Sequence, residues 1–104
     1  MADKAELLAL GDGRFRIEGA LDFDTVTGLL GASESKFAGV DVLNCDLSGV
    51  TRANSAGMAL MLEWRARCES RGQTLVFSDV PESVLQLARV CEVEDVLSGD
   101  PALG

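Results

Sequence analysis

Asn54-Ser55-Ala56-Gly57 stands directly before the apolar run Met58-Ala59-Leu60-Met61-Leu62, so a hydroxyl is presented where a helix is expected to begin. Nucleophilic work by Ser55 needs a base to take its proton. The chain has no histidine, no lysine lies near Ser55, and its flanks do not form the G-x-S-x-G elbow. A strand-to-helix junction instead offers unpaired amides and the positive end of the helix dipole, which favour an oxygen-rich side chain or an anion. Two uses of Ser55 follow. As a phosphate acceptor it would bring up to about two negative charges onto a flat surface of small residues, Ala53, Ala56 and Gly57, and would evict a docked partner. Alternatively Asn54 or Ser55 is simply a helix cap, a role worth ~1 kcal/mol.

Other candidate chemistry is sparse. Cys45, Cys68 and Cys91 are odd in number and far apart, without the close pairs that metal or redox sites use, and each falls in an apolar pattern that reads as core. Asp22, Asp24, Asp41, Asp46, Asp79 and Glu82 stand at turns and helix starts, where carboxylates accept from orphan amides. Trp64, Met58 and Met61 have the helical spacing of core or interface residues. No G-x-x-x-x-G-K loop is present to hold a nucleoside triphosphate, and no cofactor or metal is implied.

The elements that must position this junction can be read from periodicity. With 47% apolar and 25% charged residues, the 104-residue chain has the balance of one globular domain over residues 1–104. Its ordered core is expected at about 4–97, with a frayed tail at 98–104. Asp12-Gly13 between two alternating runs predicts a hairpin, the second run setting Phe15, Ile17, Gly19 and Leu21 against Arg14, Arg16 and Glu18. Asp24 or Thr25 caps a helix whose face is Val26, Leu29, Leu30, Ser33 and Phe37. Gly28 and Gly31 each cost it up to ~1 kcal/mol, so packing must hold it.

A strand follows, with Val40 and Val42 on one side and Leu43, Cys45 and Leu47 on the other, which suggests a central strand covered at least partly on both faces. The turn residues Asp46-Leu47-Ser48-Gly49 end it. A second helix runs from Ser55 to about Ser70, with Met58, Met61, Leu62, Trp64 and Cys68 inside and Glu63, Arg65, Arg67, Glu69 and Arg71 outside. Gly72 stops it. Gln73 to Val80 read as a strand, Pro81 opens a third helix with Val84, Leu87, Ala88 and Cys91 in its stripe, and Asp95 to Leu97 read as a short edge strand. The expected class is α/β: a mixed sheet of four to five strands, with three main helices gathered mostly on one face.

Seventeen acidic against nine basic residues give a net charge of −8, which repels phosphate backbones and anionic lipid headgroups. The N-terminus alternates charge with apolar residues and lacks a signal-peptide pattern, and no run is long enough to span a bilayer. A soluble, cytoplasmic protein with a protein partner is expected.

Four segments, in this order, carry a resemblance that covers nearly the whole chain: Ile17 to Asp22, Asp46 to Val50, Asn54 to Leu62, and Arg71 to Leu97. Together they resemble the STAS domain family of sulphate transporters and anti-sigma-factor antagonists. In the antagonists the loop reads Asp-Ser-Ser/Thr-Gly and its first serine is phosphorylated by a partner kinase. Ser55 matches that serine and Gly57 is kept, but Asn54 and Ala56 replace the aspartate and the second hydroxyl. The resemblance is stronger to small stand-alone cytoplasmic STAS subunits that bind the ATPase of the ABC transporter maintaining lipid asymmetry in Gram-negative bacteria. It implies a non-catalytic subunit at the inner membrane through its partner complex, with the hydroxyl of Ser55 in the contact; beside it the small residues Ala56 and Gly57 are expected to let a partner approach closely, with Met58 adding apolar contact and Arg52 and Asn54 polar contact at the rim. The alternative it implies is an anti-sigma-factor antagonist switched by phosphorylation of Ser55.

Overall fold

The computed structural model describes residues 4–98. β1 (Ala5–Gly11) and β2 (Arg14–Leu21) form the hairpin, and Asp12 and Gly13 both take positive φ, 56° and 76°, as a two-residue type I′ turn requires. The chain continues through α1 (Val26–Lys36), β3 (Val42–Ala53), α2 (Ser55–Ser70), β4 (Thr74–Ser78), α3 (Glu82–Val90) and α4 (Glu94–Ser98). The sheet runs β1-β2-β3-β4, with β1 antiparallel to β2 and the other two pairings parallel. This is the mixed α/β sheet the periodicity predicts.

Phe15, Ile17, Leu43, Cys45, Leu75 and Phe77 share the buried face of the sheet, and Leu60, Met61, Trp64 and Cys68 of α2 complete the same core. The opposite face is open: Glu18, Asn44 and Ser78 are exposed there, and Val42 keeps 51% of its surface. Among the described residues, strand β3 is therefore central but covered on one side only, because the helices gather on one face.

Asp46-Leu47-Ser48-Gly49 does not end β3. Asp46 Oδ1 accepts from Ser48 N (2.8 Å), and between the Arg16↔Asp46 and Glu18↔Gly49 pairs β3 holds one residue more than β2. The same turn chemistry builds a bulge, and a second one follows between Val50 and Arg52. With these two extra residues β3 runs to Ala53, two residues before α2 begins at Ser55.

α1 is held by packing, as its glycines require. Leu29, Ser33 and Phe37 point inward, the Phe37 ring lies 4.9 Å from Phe15 and 5.5 Å from Trp64, and Trp64 Nε1 donates to Ser33 Oγ at 2.9 Å. Thr25 occupies its N-cap position without a capping side-chain bond, and Asp22 supplies the acceptor instead.

Three further expectations change. Residues 95–97 are helical in α4, where Glu94 and Asp95 suit a first turn and Leu97 is wholly buried. Cys91 is exposed, because it caps α3 and Glu92 at φ 59° turns the chain away, so only Val84 and Ala88 of that stripe are fully buried. Arg65 turns inward to bridge elements. The tail expected to fray lies outside the described residues apart from Ser98, which closes α4.

Candidate functional site

The parallel strands β2 and β3 end side by side at Leu21 and Ala53, and Asn54 N donates to Leu21 O (3.2 Å) as the chain leaves the sheet. From there α2 starts at once. Asn54 is extended, with φ −122°, and its Oδ1 accepts from Ala56 N at 2.8 Å. Asn54 O accepts from Gly57 N and Met58 N. Of the amides that a helix start leaves over, those of Asn54, Ala56 and Gly57 are thereby taken, and the anion seat read from the junction is largely filled by Asn54 itself.

Ser55, the first helical residue, is exposed, and its hydroxyl has no hydrogen-bond partner among the described residues. Asn54 and Arg52 are exposed beside it and Met58 is half-buried. Ala56 and Gly57 are buried, so the flat small-residue surface expected here does not exist in that form. Their smallness serves the inside of the corner. A Cβ on Gly57 would stand 2.9 Å from Leu21 Cβ, so only glycine lets α2 lie this close to the end of β2.

The turn between β2 and α1 forms the other wall. Asp22 is nearly buried; its Oδ1 accepts from Asp24 N (2.9 Å) and Thr25 N (3.2 Å), and its Oδ2 takes Arg52 Nη2 at 2.8 Å. One carboxylate thus starts α1 and ties it to the end of β3 at Arg52. Thr25 Oγ1 closes the turn by donating to Ala20 O at 2.7 Å.

Held up by this turn, Phe23 is 74% exposed. It stands over an apolar groove of about 260 Å³ between α1 and α2, walled by Val26, Leu30, Ala59 and Leu60, with Glu63 at its end. Ala56 lines the same groove, so the groove opens onto the Ser55 corner. Phe23 and the groove were not legible in the sequence; the available signal was an aromatic residue between two aspartates, Asp22-Phe23-Asp24, where a turn was expected to be polar.

Among the described residues no three acidic or thiol groups come together to hold a metal ion. Cys45 and Cys68 are buried, and burial pushes the Cys45 thiol up to about 12 and raises that of Cys68, which leaves both protonated and inert. No described helix is long and apolar enough to cross a membrane.

The family model described as "Mlab, STAS domain" matches residues 8–98. The chain belongs to the STAS domain family. No curated protein sequence matches it. Among solved structures it is similar to the anti-sigma factor antagonist SpoIIAA in its unphosphorylated form, with a TM-score of 0.68 at 15% identity over 89% of this chain and 84% of that one. It is also similar to a sulfate transporter family protein from Wolinella succinogenes, with a TM-score of 0.65 at 22% identity over 88% and 75%. At these identities the likeness is one of fold. The mixed sheet with helices on one face is the fold that antagonists and transporter-associated domains share.

Proposed function

We propose that this chain is a non-catalytic accessory subunit of MlaB type, which docks on the ATPase subunit of an ABC transporter and supports its assembly and activity. The ATPase would be MlaF-like and sit with a permease in the inner membrane. The transport served would be of phospholipid, maintaining outer-membrane lipid asymmetry, with this subunit on the cytoplasmic side. The name of the matching family supports the choice of transporter.

One observation carries the reading: the exposed Phe23 stands over an apolar groove whose lining reaches Ala56, next to the exposed Ser55. Large exposed aromatic residues beside a shallow apolar groove are typical anchors of protein interfaces, and a central hydroxyl adds a directed hydrogen bond. Arg52, Asn54, Ser55 and Met58 are the residues of the corner that reach the surface; Ala56 and Gly57 act from beneath by bringing α2 close. A catalytic role finds no support in a chain without histidine.

The free Ser55 hydroxyl also favours a second reading, an anti-sigma-factor antagonist switched by phosphorylation. Asn54 argues against it, since its own side chain fills part of the seat a phosphate would use.

Affinity capture from the native cells, with mass spectrometry of partner and of Ser55, separates the two. The expected result is an ABC ATPase with unmodified Ser55. A serine kinase with phosphorylated Ser55 would sink the transporter reading. Phe23→Ala and Ser55→Asp are each expected to weaken capture of the ATPase at least tenfold with the fold intact, and unchanged capture by both would remove the corner from the interface.

A further inference from the structure

Phe23 is the middle residue of a turn that one side chain closes. Asp22 Oδ1 accepts from Asp24 N at 2.9 Å and from Thr25 N at 3.2 Å, so the direction in which Phe23 leaves the chain is set by where the Asp22 carboxylate sits. That side chain is only 12% exposed, and a charge drawn so far from water needs a charged donor. Arg52 Nη2 supplies it to Oδ2 at 2.8 Å. The dependence runs one way, because the Arg52 side chain is 60% exposed and its charge stays solvated with or without Asp22.

Arg52 reaches Asp22 through an irregularity in the sheet. Gly19 pairs with Val50 but Ala20 pairs with Arg52, so Thr51 is the extra residue of the second bulge in β3. A one-residue offset carries the side chains that follow it to the other face of a strand, and bulges re-aim side chains by this means. In an unbroken ladder Arg52 would stand opposite Leu21 and leave from the face on which Leu21 is wholly buried. With the bulge it stands opposite Ala20, two residues before Asp22, and its guanidinium meets the carboxylate.

We infer that Arg52 is a positioning residue of the docking corner: through Asp22 it holds the Phe23 ring over the groove between α1 and α2, and the bulge at Thr51 aims it there. The value of Phe23 to a partner rests on the docking reading above, but the link from Arg52 to Phe23 lies within this chain. It also divides the exposed residues of the corner, since Phe23 and Ser55 meet the partner whereas Arg52 acts through Phe23. Loss of Arg52 takes the charged donor from Asp22 Oδ2. The carboxylate then swings out to water, gives up the Asp24 and Thr25 amides, and frees the ring. The fold survives the loss, because an ion pair with so exposed an arginine adds little to stability.

The test uses the isotope-labelled full chain. Comparison of the parent with Phe23→Ala gives the ring's own contribution to the shifts of the Val26 and Leu30 methyl groups, which line the groove with it. Arg52→Met is expected to remove most of that contribution and to speed exchange of the Asp24 and Thr25 amides at least about tenfold, with an unchanged urea midpoint. Arg52→Lys, which can replace a single N–H···O contact, is expected to keep most of it. Binding of the captured ATPase separates positioning from contact: Arg52→Met should weaken it at least about tenfold in the parent chain and by less than about twofold in Phe23→Ala, since coupled residues fail to add. Groove methyls unmoved by Arg52→Met, or equal losses of binding in both backgrounds, would overturn the inference. So would a lowered midpoint with uniformly faster exchange, because Arg52 would then hold the fold rather than the ring. A parent chain that captures no ATPase removes the transporter reading, and the methyl shifts then decide the role of Arg52.

Discussion

Gly57 carries the corner in a way that Ser55 does not. Alanine is favoured over glycine inside a helix by about 1 kcal/mol, whereas overpacking a filled site costs about 1–3 kcal/mol. The atom a new methyl would strike is Leu21 Cβ, fixed to the β2 backbone and unable to swing aside as a side-chain tip does. The clash should win. Gly57→Ala is expected to lower stability by about 1 kcal/mol and Gly57→Val by more, read from the urea midpoint; a midpoint raised by alanine would mean that α2 can withdraw from the sheet. At this scale the sequence was partly legible. Asn54 and Ser55 announce a helix start by residue type, and Asp22 and Asp46 satisfy amides as acids at turns do. The exposure of Phe23 was not legible, because it depends on Asp22 joining its own turn to Arg52 of β3, thirty residues away.

Between elements, the contacts that matter most are the ones least visible as ion pairs. Glu34 takes both Arg67 and Arg71, joining α1 to α2, but all three side chains are well exposed and such pairs are worth little. Arg65 is different. Its Nε donates to Val96 O at 2.9 Å, its Nη1 donates to Leu75 O, and its guanidinium lies 5.3 Å from the centre of the Phe77 ring, so one side chain of α2 binds α4 and β4 together. Desolvation lowers its pKa, yet an arginine stays charged. Charged hydrogen bonds to carbonyls are worth roughly 1.5–3 kcal/mol each way of counting, so Arg65→Met, which keeps the apolar stem, should release α4 first. The expected sign is faster amide exchange at residues 94–98 with β3 unchanged; uniform loss across the sheet would place Arg65 in the global core instead. Periodicity predicted α2 but set Arg65 on its outer face, since the helical angle alone does not say where a long side chain reaches. Asp95 to Leu97 misled for a related reason: three residues have no period, and burial of Leu97 decides their shape.

Over the whole molecule, the titrating groups set opposite limits on stability. Hydrogen bonds from the Ser48 amide and hydroxyl hold Asp46 below its ordinary value of 3.8, and a hydrogen bond from Arg71 holds Glu34 below 4.5. The folded state therefore binds fewer protons than the unfolded one in that range, and the stability these groups add is present above their ordinary values and lost as pH falls through the folded ones. Glu34 is exposed and Asp46 only half-buried, so the acid limb should be shallow. At the alkaline end burial raises Cys45 from 9.0 to about 12, and raises Cys68 as well. There the folded state keeps protons that the unfolded chain gives up, so stability is full below about 9 and falls as pH climbs toward about 12. Urea midpoints should thus be flat from about pH 5 to 8 and fall more steeply above 9 than below 4. Cys45→Ala separates the thiol from the remaining groups: it lowers stability at neutral pH by leaving a small cavity, but its alkaline decline should be shallower than that of the parent chain. An equally steep decline in Cys45→Ala would assign the alkaline limit to other groups and leave the buried thiols as packing alone.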